Sequence, residues 1–178
     1  LDESFKEAPS MIWVETPSNP LLRVVSISDI VQRAKAVNAR VVVDNTFLSP
    51  VLQRPIELGA DLVVYSTTKY LNGHSDVVGG AVIASTEDLA EKMAWWANTL
   101  GVTGSPFDSF LTTRGLRTIY ARMRSHETNA CAVVTALQGH AAVKRVYHPS
   151  LEDHPGHKIA ASQQSGFGGM VSFDLEGG

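Results

Sequence analysis

Cysteine is almost absent from this chain. Cys131 is the one example in 178 residues, which excludes an intrachain disulfide and fits a reducing compartment, so a cytoplasmic location is expected. No apolar run approaches the roughly 20 residues that carry a helix across a bilayer, and no membrane partner is expected. An excess of charge is missing too. Lys and Arg total 15 against 18 Asp and Glu, a formal net charge of −3, which argues against a general polyanion binder and leaves nucleic acid out of the expected partners. Neither an internal repeat nor a low-complexity segment occurs. The composition is 44% hydrophobic and 19% charged, that of a globular chain able to bury a sizeable core. The chain opens at Leu1 without a methionine and stops just after a strand-like run, so it is expected to be an internal piece of a longer one.

The patterning predicts an α/β fold. Residues 11–15 read as a short buried strand, stopped at 16–20 by Pro17, Pro20 and turn formers, which leaves Asn19 in a loop at the strand's carboxyl end. Ile27, Ile30, Val31, Ala34 and Val37 recur at helical spacing over 26–38, with Ser26 or Ser28 as cap. Residues 40–44 then form a continuous apolar strand ending at Asp44, which suits a parallel sheet covered on both faces. A loop at 45–55, one helical turn at 56–59 and a strand at 61–66 follow. Residues 79–84 suit an antiparallel edge strand, and Ser85 or Thr86 caps a helix running to about Leu100. Ser105 and Pro106 start a helix that ends near Gly115. A longer helix covers 117–137, closed by Gly139. Strands at 144–147 and 170–175, the latter with alternating faces, flank a loop and short helix over 154–166.

The informative residue is Lys69, which stands just beyond the apolar strand of Leu62, Val63 and Val64. A lysine at its ordinary pKa is neutral in only about one molecule in a few thousand at pH 7, so nucleophilic chemistry needs desolvation or a neighbouring cation. The end of a buried strand is expected to desolvate it. In an extended segment Ser66 and Thr68 fall on one side and Thr67 and Lys69 on the other, and hydroxyl donors beside an amine suit a phosphate monoester. Ligands of open α/β sheets bind outside the carboxyl ends of the strands, so Asn19, Asp44 and the group from Ser66 to Lys69 are expected to converge.

Plainer readings stand beside these. Lys69 also reads as a strand-end lysine with its head in water, and Asp44 as the cap of a turn through Asn45 and Thr46. His74, Ser75 and Asp76 are adjacent and suit a locally hydrogen-bonded turn better than a hydrolytic relay. His148, His154 and His157 read as a solvated loop, and no metal is expected. Arg114, Arg117, Arg122 and Arg124 suit ion pairs between helices or subunits, and Trp95 and Trp96 a core or an interface. Gly166, Gly168 and Gly169 lack the lysine and hydroxyl of a phosphate-binding loop.

Residues 61–75 resemble the lysine-bearing signature of the pyridoxal-phosphate enzymes of cysteine and methionine metabolism, the transsulfuration family. Asp61, Leu62, Ser66, Thr67, Thr68, Lys69, Tyr70, Leu71, Gly73, His74 and Ser75 fit it position by position. The resemblance extends through residues 15–20, 43–47, 114–118 and 166–170, over nearly the whole chain. It implies fold type I, a mostly parallel sheet flanked by helices, with residues 1–128 in the large cofactor domain and 129–178 opening a smaller α/β C-terminal domain. It implies pyridoxal 5'-phosphate carried covalently on Lys69, which also moves protons, with Asp44 on the pyridine nitrogen, Ser66 and Thr68 on the phosphate and Asn19 on the phenolic oxygen. The family's glycine-containing phosphate loop, ring-stacking tyrosine and neighbour-subunit tyrosine and arginine precede Leu1, and its carboxylate-binding arginine follows Gly178. A homotetramer sharing sites across a dimer interface is implied as well. Within the family, residues 94–98, 101–104 and 107–109 are most similar to the γ-replacing branch, which joins an O-acyl-L-homoserine, here O-succinyl, to L-cysteine and gives L-cystathionine for methionine biosynthesis. γ-Elimination, in the manner of cystathionine γ-lyase or methionine γ-lyase, is the alternative on the same scaffold. A non-catalytic oligomerisation module is the alternative outside enzymes.

Overall fold

Three consecutive valines, Val41 to Val43, are each at most 1% exposed, and a strand buried on both faces belongs inside a sheet. They form the middle of β2 (Arg40–Asp44), flanked by β1 (Met11–Glu15) and β3 (Leu62–Ser66). These three are parallel, and β4 (Gly80–Ala84) closes the order β1-β2-β3-β4 antiparallel to β3. The computed structural model describes residue 5 and residues 7–177 of the chain. Register aligns Glu15 with Asp44 and Asp44 with Val64, so the loops carrying Asn19, Thr46 and Lys69 leave from one rim of the sheet.

The helices are α1 (Ile27–Ala36), α2 (Ser49–Leu52), α3 (Glu87–Leu100), α4 (Pro106–Leu116), α5 (Ile119–Gln138) and α6 (His157–Gln163). Ser26, Thr86 and Ser105 cap α1, α3 and α4 through their hydroxyls, each satisfying an amide at a helix start. Ile27, Ile30, Val31 and Ala34 of α1 pack on Val41, Val43 and Ala60. Val63 and Tyr65 continue that face against Leu48, Leu52, Leu71, Ile119 and Met123. Val42 and Leu62 point the other way, onto Leu89 of α3. Each such aliphatic side chain contributes about 1.5–3 kcal/mol on burial. β5 (Val143–Tyr147) and β6 (Ser172–Leu175) form a separate antiparallel pair. No helix among the described residues is long and apolar enough to cross a membrane.

Several expectations are corrected. Among the described residues β1 stands at the edge of the sheet: α1 covers Ile12 and Val14, while Met11 and Trp13 are 50% and 60% exposed. The helical turn expected at 56–59 is a run of backbone turns, and the short helix lies instead within the expected loop, at Ser49–Leu52. β6 shows no alternation, since Phe173, Asp174 and Leu175 are all exposed. The helix expected over 117–137 is the continuous α5, and its first turns are packed against the large sheet through Ile119 and Met123.

The expected solvated histidine loop is largely buried. His148 and His154 are 1% and 8% exposed. His148 Nδ1 lies 2.7 Å from Ser150 Oγ, and His154 Nδ1 accepts from the Gly156 amide at 3.0 Å. Burial pushes both imidazoles below the ordinary histidine pKa. The unfolded chain therefore takes up protons at its ordinary value of about 6.5 while the folded chain resists them. Stability from this source is complete above that pH and falls as the pH drops towards the lower folded values. Urea midpoints taken at about pH 7.5 and about pH 5.5 should fall in the wild type, and His148→Gln should show a smaller fall between the two.

Candidate active site

β3 ends at Ser66 and runs directly into an irregular turn, Thr67–Leu71, kinked at Lys69, whose φ of −92° and ψ of −125° lie outside the helical region. The Asn72 amide donates to Thr67 O at 3.0 Å and closes the wide turn. Its start is pinned by the entry to β4: the Thr67 amide donates to Gly79 O at 2.9 Å, and Thr68 Oγ1 accepts from the Gly79 amide at 3.1 Å. Strand alternation therefore stops at Ser66, and the expected division of Ser66 and Thr68 from Thr67 and Lys69 does not hold. Thr67 is buried, Thr68 half-buried and Lys69 exposed.

Lys69 lines a cavity of about 830 Å³ together with Asn19, Thr68, Tyr70, His126 and Met170, a size suited to a small molecule. Among the described residues Lys69 Nζ has no hydrogen-bond or ion-pair partner. The expected desolvation is not met, because the turn carries the side chain out of the sheet and into the cavity's mouth.

Asp44 and Ser66 do not line that cavity. They stand at neighbouring strand ends on the sheet face of Val42, Leu62 and Val64, as alternation requires. Thr46 ties them together: its amide donates to Asp44 Oδ1 at 3.0 Å, and its Oγ1 accepts from the Ser66 amide at 2.8 Å. The turn-capping reading of Asp44 is thus realised.

A buried polar network supports these loops from below. Asn45 Nδ2 lies within hydrogen-bond reach of Ser49 O, Gln53 O and Tyr65 Oη, at 3.1, 2.7 and 3.1 Å. Gln53 Nε2 donates to Thr16 O and Asn45 Oδ1, both at 2.9 Å. Burial raises the Tyr65 pKa, which keeps its phenol neutral.

Sequence reading missed Thr46, Gln53, Tyr70, His126 and Glu127. Thr46 left a signal, two residues beyond an aspartate at a strand end, and Tyr70 stands within the lysine-bearing pattern with no role of its own assigned. The Tyr70 and His126 rings are 5.1 Å apart at the cavity wall. Glu127 Oε1 accepts from the Phe167 and Gly168 amides at 2.9 and 3.3 Å, and a Cβ on Gly166 would overlap it. The glycines at 166–169 therefore let the backbone close on Glu127 and on His126.

The turn at 72–76 is locally bonded as expected, with Asn72 Nδ2 donating to Asp76 Oδ1 at 2.6 Å and His74 Nδ1 2.7 Å from Asn72 O. Among the described residues, ion pairs between helices of this chain are not what the four arginines make. Ion pairs among the described residues join Arg40 to Asp61, Arg54 to Glu57 and Lys92 to Asp88, none using Arg114, Arg117, Arg122 or Arg124. Trp95 and Trp96 pack edge to face at 4.7 Å but stay 58% and 51% exposed, so they are not core. No group of three or more His, Cys, Asp or Glu that could hold a metal occurs among the described residues. An amine in a cavity beside a hydroxyl and an amide, with a second hydroxyl and a carboxylate at adjoining strand ends, fits an aldehyde cofactor that bears a phosphate and a basic ring nitrogen.

A family model described as Cys/Met metabolism PLP-dependent enzyme matches residues 1–178. The chain is 58% identical over 177 residues to cystathionine gamma-synthase of Escherichia coli strain K12, covering 99% of this chain and 46% of that protein. It is 49% identical over 175 residues to cystathionine beta-lyase of Lactococcus lactis subsp. lactis, covering 98% of this chain and 46% of that one. The crystal structure of cystathionine gamma synthase from Xanthomonas oryzae pv. oryzae in complex with cystathionine superposes with a TM-score of 0.98 at 58% identity, over 99% of this chain and 46% of that one. The chain thus spans about half the length of the curated relatives it matches.

Thr46 carries the prediction here. Thr46→Val keeps the side-chain volume but leaves the Ser66 amide without its acceptor, at a cost of about 1–3 kcal/mol. Urea unfolding should register that loss, and Thr46→Ser should recover most of it.

Proposed function

This chain belongs to the Cys/Met metabolism PLP-dependent enzymes, and from that membership we propose that the whole protein is a γ-replacing carbon-sulfur transferase. It joins an O-acyl-L-homoserine, O-succinyl-L-homoserine in this reading, to L-cysteine, and the product is L-cystathionine. The observation that carries the reading is the 58% identity to a cystathionine gamma-synthase across 99% of the chain, Lys69 turn included. A lyase reading is favoured by the 49% identity to a cystathionine beta-lyase: β-cleavage breaks the other carbon-sulfur bond of cystathionine, whereas γ-elimination breaks the Cγ–S bond that the synthase makes.

Pyridoxal phosphate, when bound, supplies an electron sink for charge released at the substrate's Cα. Lys69 Nζ would hold the cofactor between turnovers and, once substrate frees it, would accept the Cα proton, assist loss of a proton at Cβ and return both after the sulfur has added. Thr68 and Ser66 donate hydroxyl hydrogen bonds to the phosphate. Asp44 holds a proton on the pyridine nitrogen, with its carboxylate oriented by the Thr46 amide. Asn19 donates to the phenolic oxygen from the loop after β1. At Cγ the acyloxy group departs as a carboxylate and the cysteine sulfur takes its place. Residues 1–128 are assigned to the large cofactor domain and 129–178 to the start of the smaller one, in a cytoplasmic homotetramer. The exposed aromatics Trp95, Trp96, Phe107 and Phe110 on α3 and α4 support further contacts of that kind.

Asp44→Asn should retain cofactor through Lys69 and the hydroxyls yet slow Cα deprotonation by about 10²–10³-fold, since a neutral ring is a poorer sink. Exchange of the Cα proton with deuterated solvent measures that step directly, and near-normal exchange removes Asp44 from the mechanism. The reaction itself is tested by giving the whole protein O-succinyl-L-homoserine with and without L-cysteine, and separately L-cystathionine. Cystathionine formation is expected in the first assay. Fast cysteine release or β-cleavage in the second, with negligible synthesis in the first, replaces the synthase reading by a lyase.

A further inference from the structure

The turn that carries Lys69 takes backbone carbonyls out of regular hydrogen bonding just where the chain reverses, at Gly73 with φ +74° and Ser75 with φ +58°. Carbonyls that such a turn leaves unpaired need outside donors, and a charged donor binds them strongly. Arg122, which enters from α5 fifty-two residues downstream of Tyr70, supplies them. Its Nη1 donates to Tyr70 O at 2.8 Å, its Nη2 to Gly115 O at 2.9 Å and to Leu71 O at 3.5 Å, and its Nε to Thr118 Oγ1 at 3.1 Å.

Two further observations single out this contact. No carboxylate pairs with Arg122 among the described residues, although burial pulls its pKa below the ordinary arginine value. A partly desolvated cation with no counter-ion depends on the carbonyls it binds. Glycines clear the space on both sides: a Cβ at Gly73 would overlap the Arg122 guanidinium, and one at Gly115 would overlap Asn72 O. Next to Arg122 on α5, Met123 is 0% exposed, so the arginine projects from a helix locked into the core.

Building on the cofactor reading above, we propose that Arg122 is the positioning residue for Lys69: it clamps the carbonyls of Tyr70, Leu71 and Gly115 and so fixes the turn that aims Nζ into the cavity. Lys69 holds a backbone conformation outside the helical region, and such residues persist where the surroundings over-determine them. The Gly73 amide, bonded to Lys69 O at 2.8 Å, is the link through which the clamp reaches the lysine. Arg122 touches neither substrate nor cofactor in this role.

The test uses the whole protein freed of cofactor, with Arg122→Met and Arg122→Lys. Hydrogen exchange is followed at the Asn72 and Gly73 amides and, as a reference, at Val41 to Val43 of β2. Pyridoxal phosphate is then added, and borohydride trapping of pyridoxyl on Lys69 is timed by peptide mass spectrometry. In Arg122→Met, exchange at the turn should rise about 10-fold or more with β2 unchanged, and trapping should slow about 10–100-fold, the order expected for a misplaced reacting group. Arg122→Lys keeps the charge without the planar fork and should fall between the two in both measurements. Trapping and turn exchange at wild-type rates in Arg122→Met overturn the proposal. So does exchange that rises equally in β2 and the turn in both variants, which makes Arg122 a general scaffold residue. A wild type that traps no pyridoxyl on Lys69 overturns the cofactor reading instead, while the exchange arm still reports on the clamp.

Discussion

A strand that ends in an irregular turn must find partners for the backbone groups it withdraws from the sheet, and the surroundings of Lys69 are organised by that requirement. On the near side Gly79 serves Thr67 and Thr68. On the far side Arg122 serves Tyr70 and Leu71. Regular β or α structure would satisfy the same groups more cheaply, but it would point the lysine along the sheet or back onto it. The wide turn sends it out into the cavity instead.

The polar network of Thr16, Asn45, Gln53 and Tyr65 meets a related demand one layer down. Three parallel strands end at one rim, and the loops leaving it carry backbone groups that the ladder no longer pairs. Buried amide side chains with both donors and acceptors can close that account in a small volume. Gln53 reaches Thr16 O from the C-terminal end of α2 and is itself met by Gln163 Nε2 of α6 at 3.0 Å. Asn19, Asp44 and Lys69 are therefore held by a common frame rather than by three independent loops.

On the proposed reading, similarity to both a synthase and a lyase is what this frame would be expected to show. Removing a proton at Cα and holding a phosphorylated aldehyde ring are tasks common to making and breaking the carbon-sulfur bond. The choice between them depends on how the γ substituent and the incoming sulfur are held. Nothing in the Lys69 turn or the Asp44 loop distinguishes those two needs.

The order of strands and helices was legible from the sequence because it follows from local patterning. Three valines before an aspartate, an amphipathic run after Ser26 and a serine-proline pair at 105–106 each specify an element from neighbouring residues alone. That three strands end at one rim was legible too, since parallel topology puts the ends on one side, whereas the placing of Asp44 and Ser66 outside the cavity lined by Asn19 and Lys69 was not. Other features were decided only by tertiary structure. Among the described residues β1 stands at the sheet's edge, and Trp13 is exposed there. His148 is buried although its neighbours are turn formers. Arg122 binds carbonyls rather than carboxylates because α5 crosses behind a turn fifty residues earlier in the chain. Local sequence fixes the backbone preferences of a segment, but burial and hydrogen-bond partners depend on what the folded chain brings alongside it.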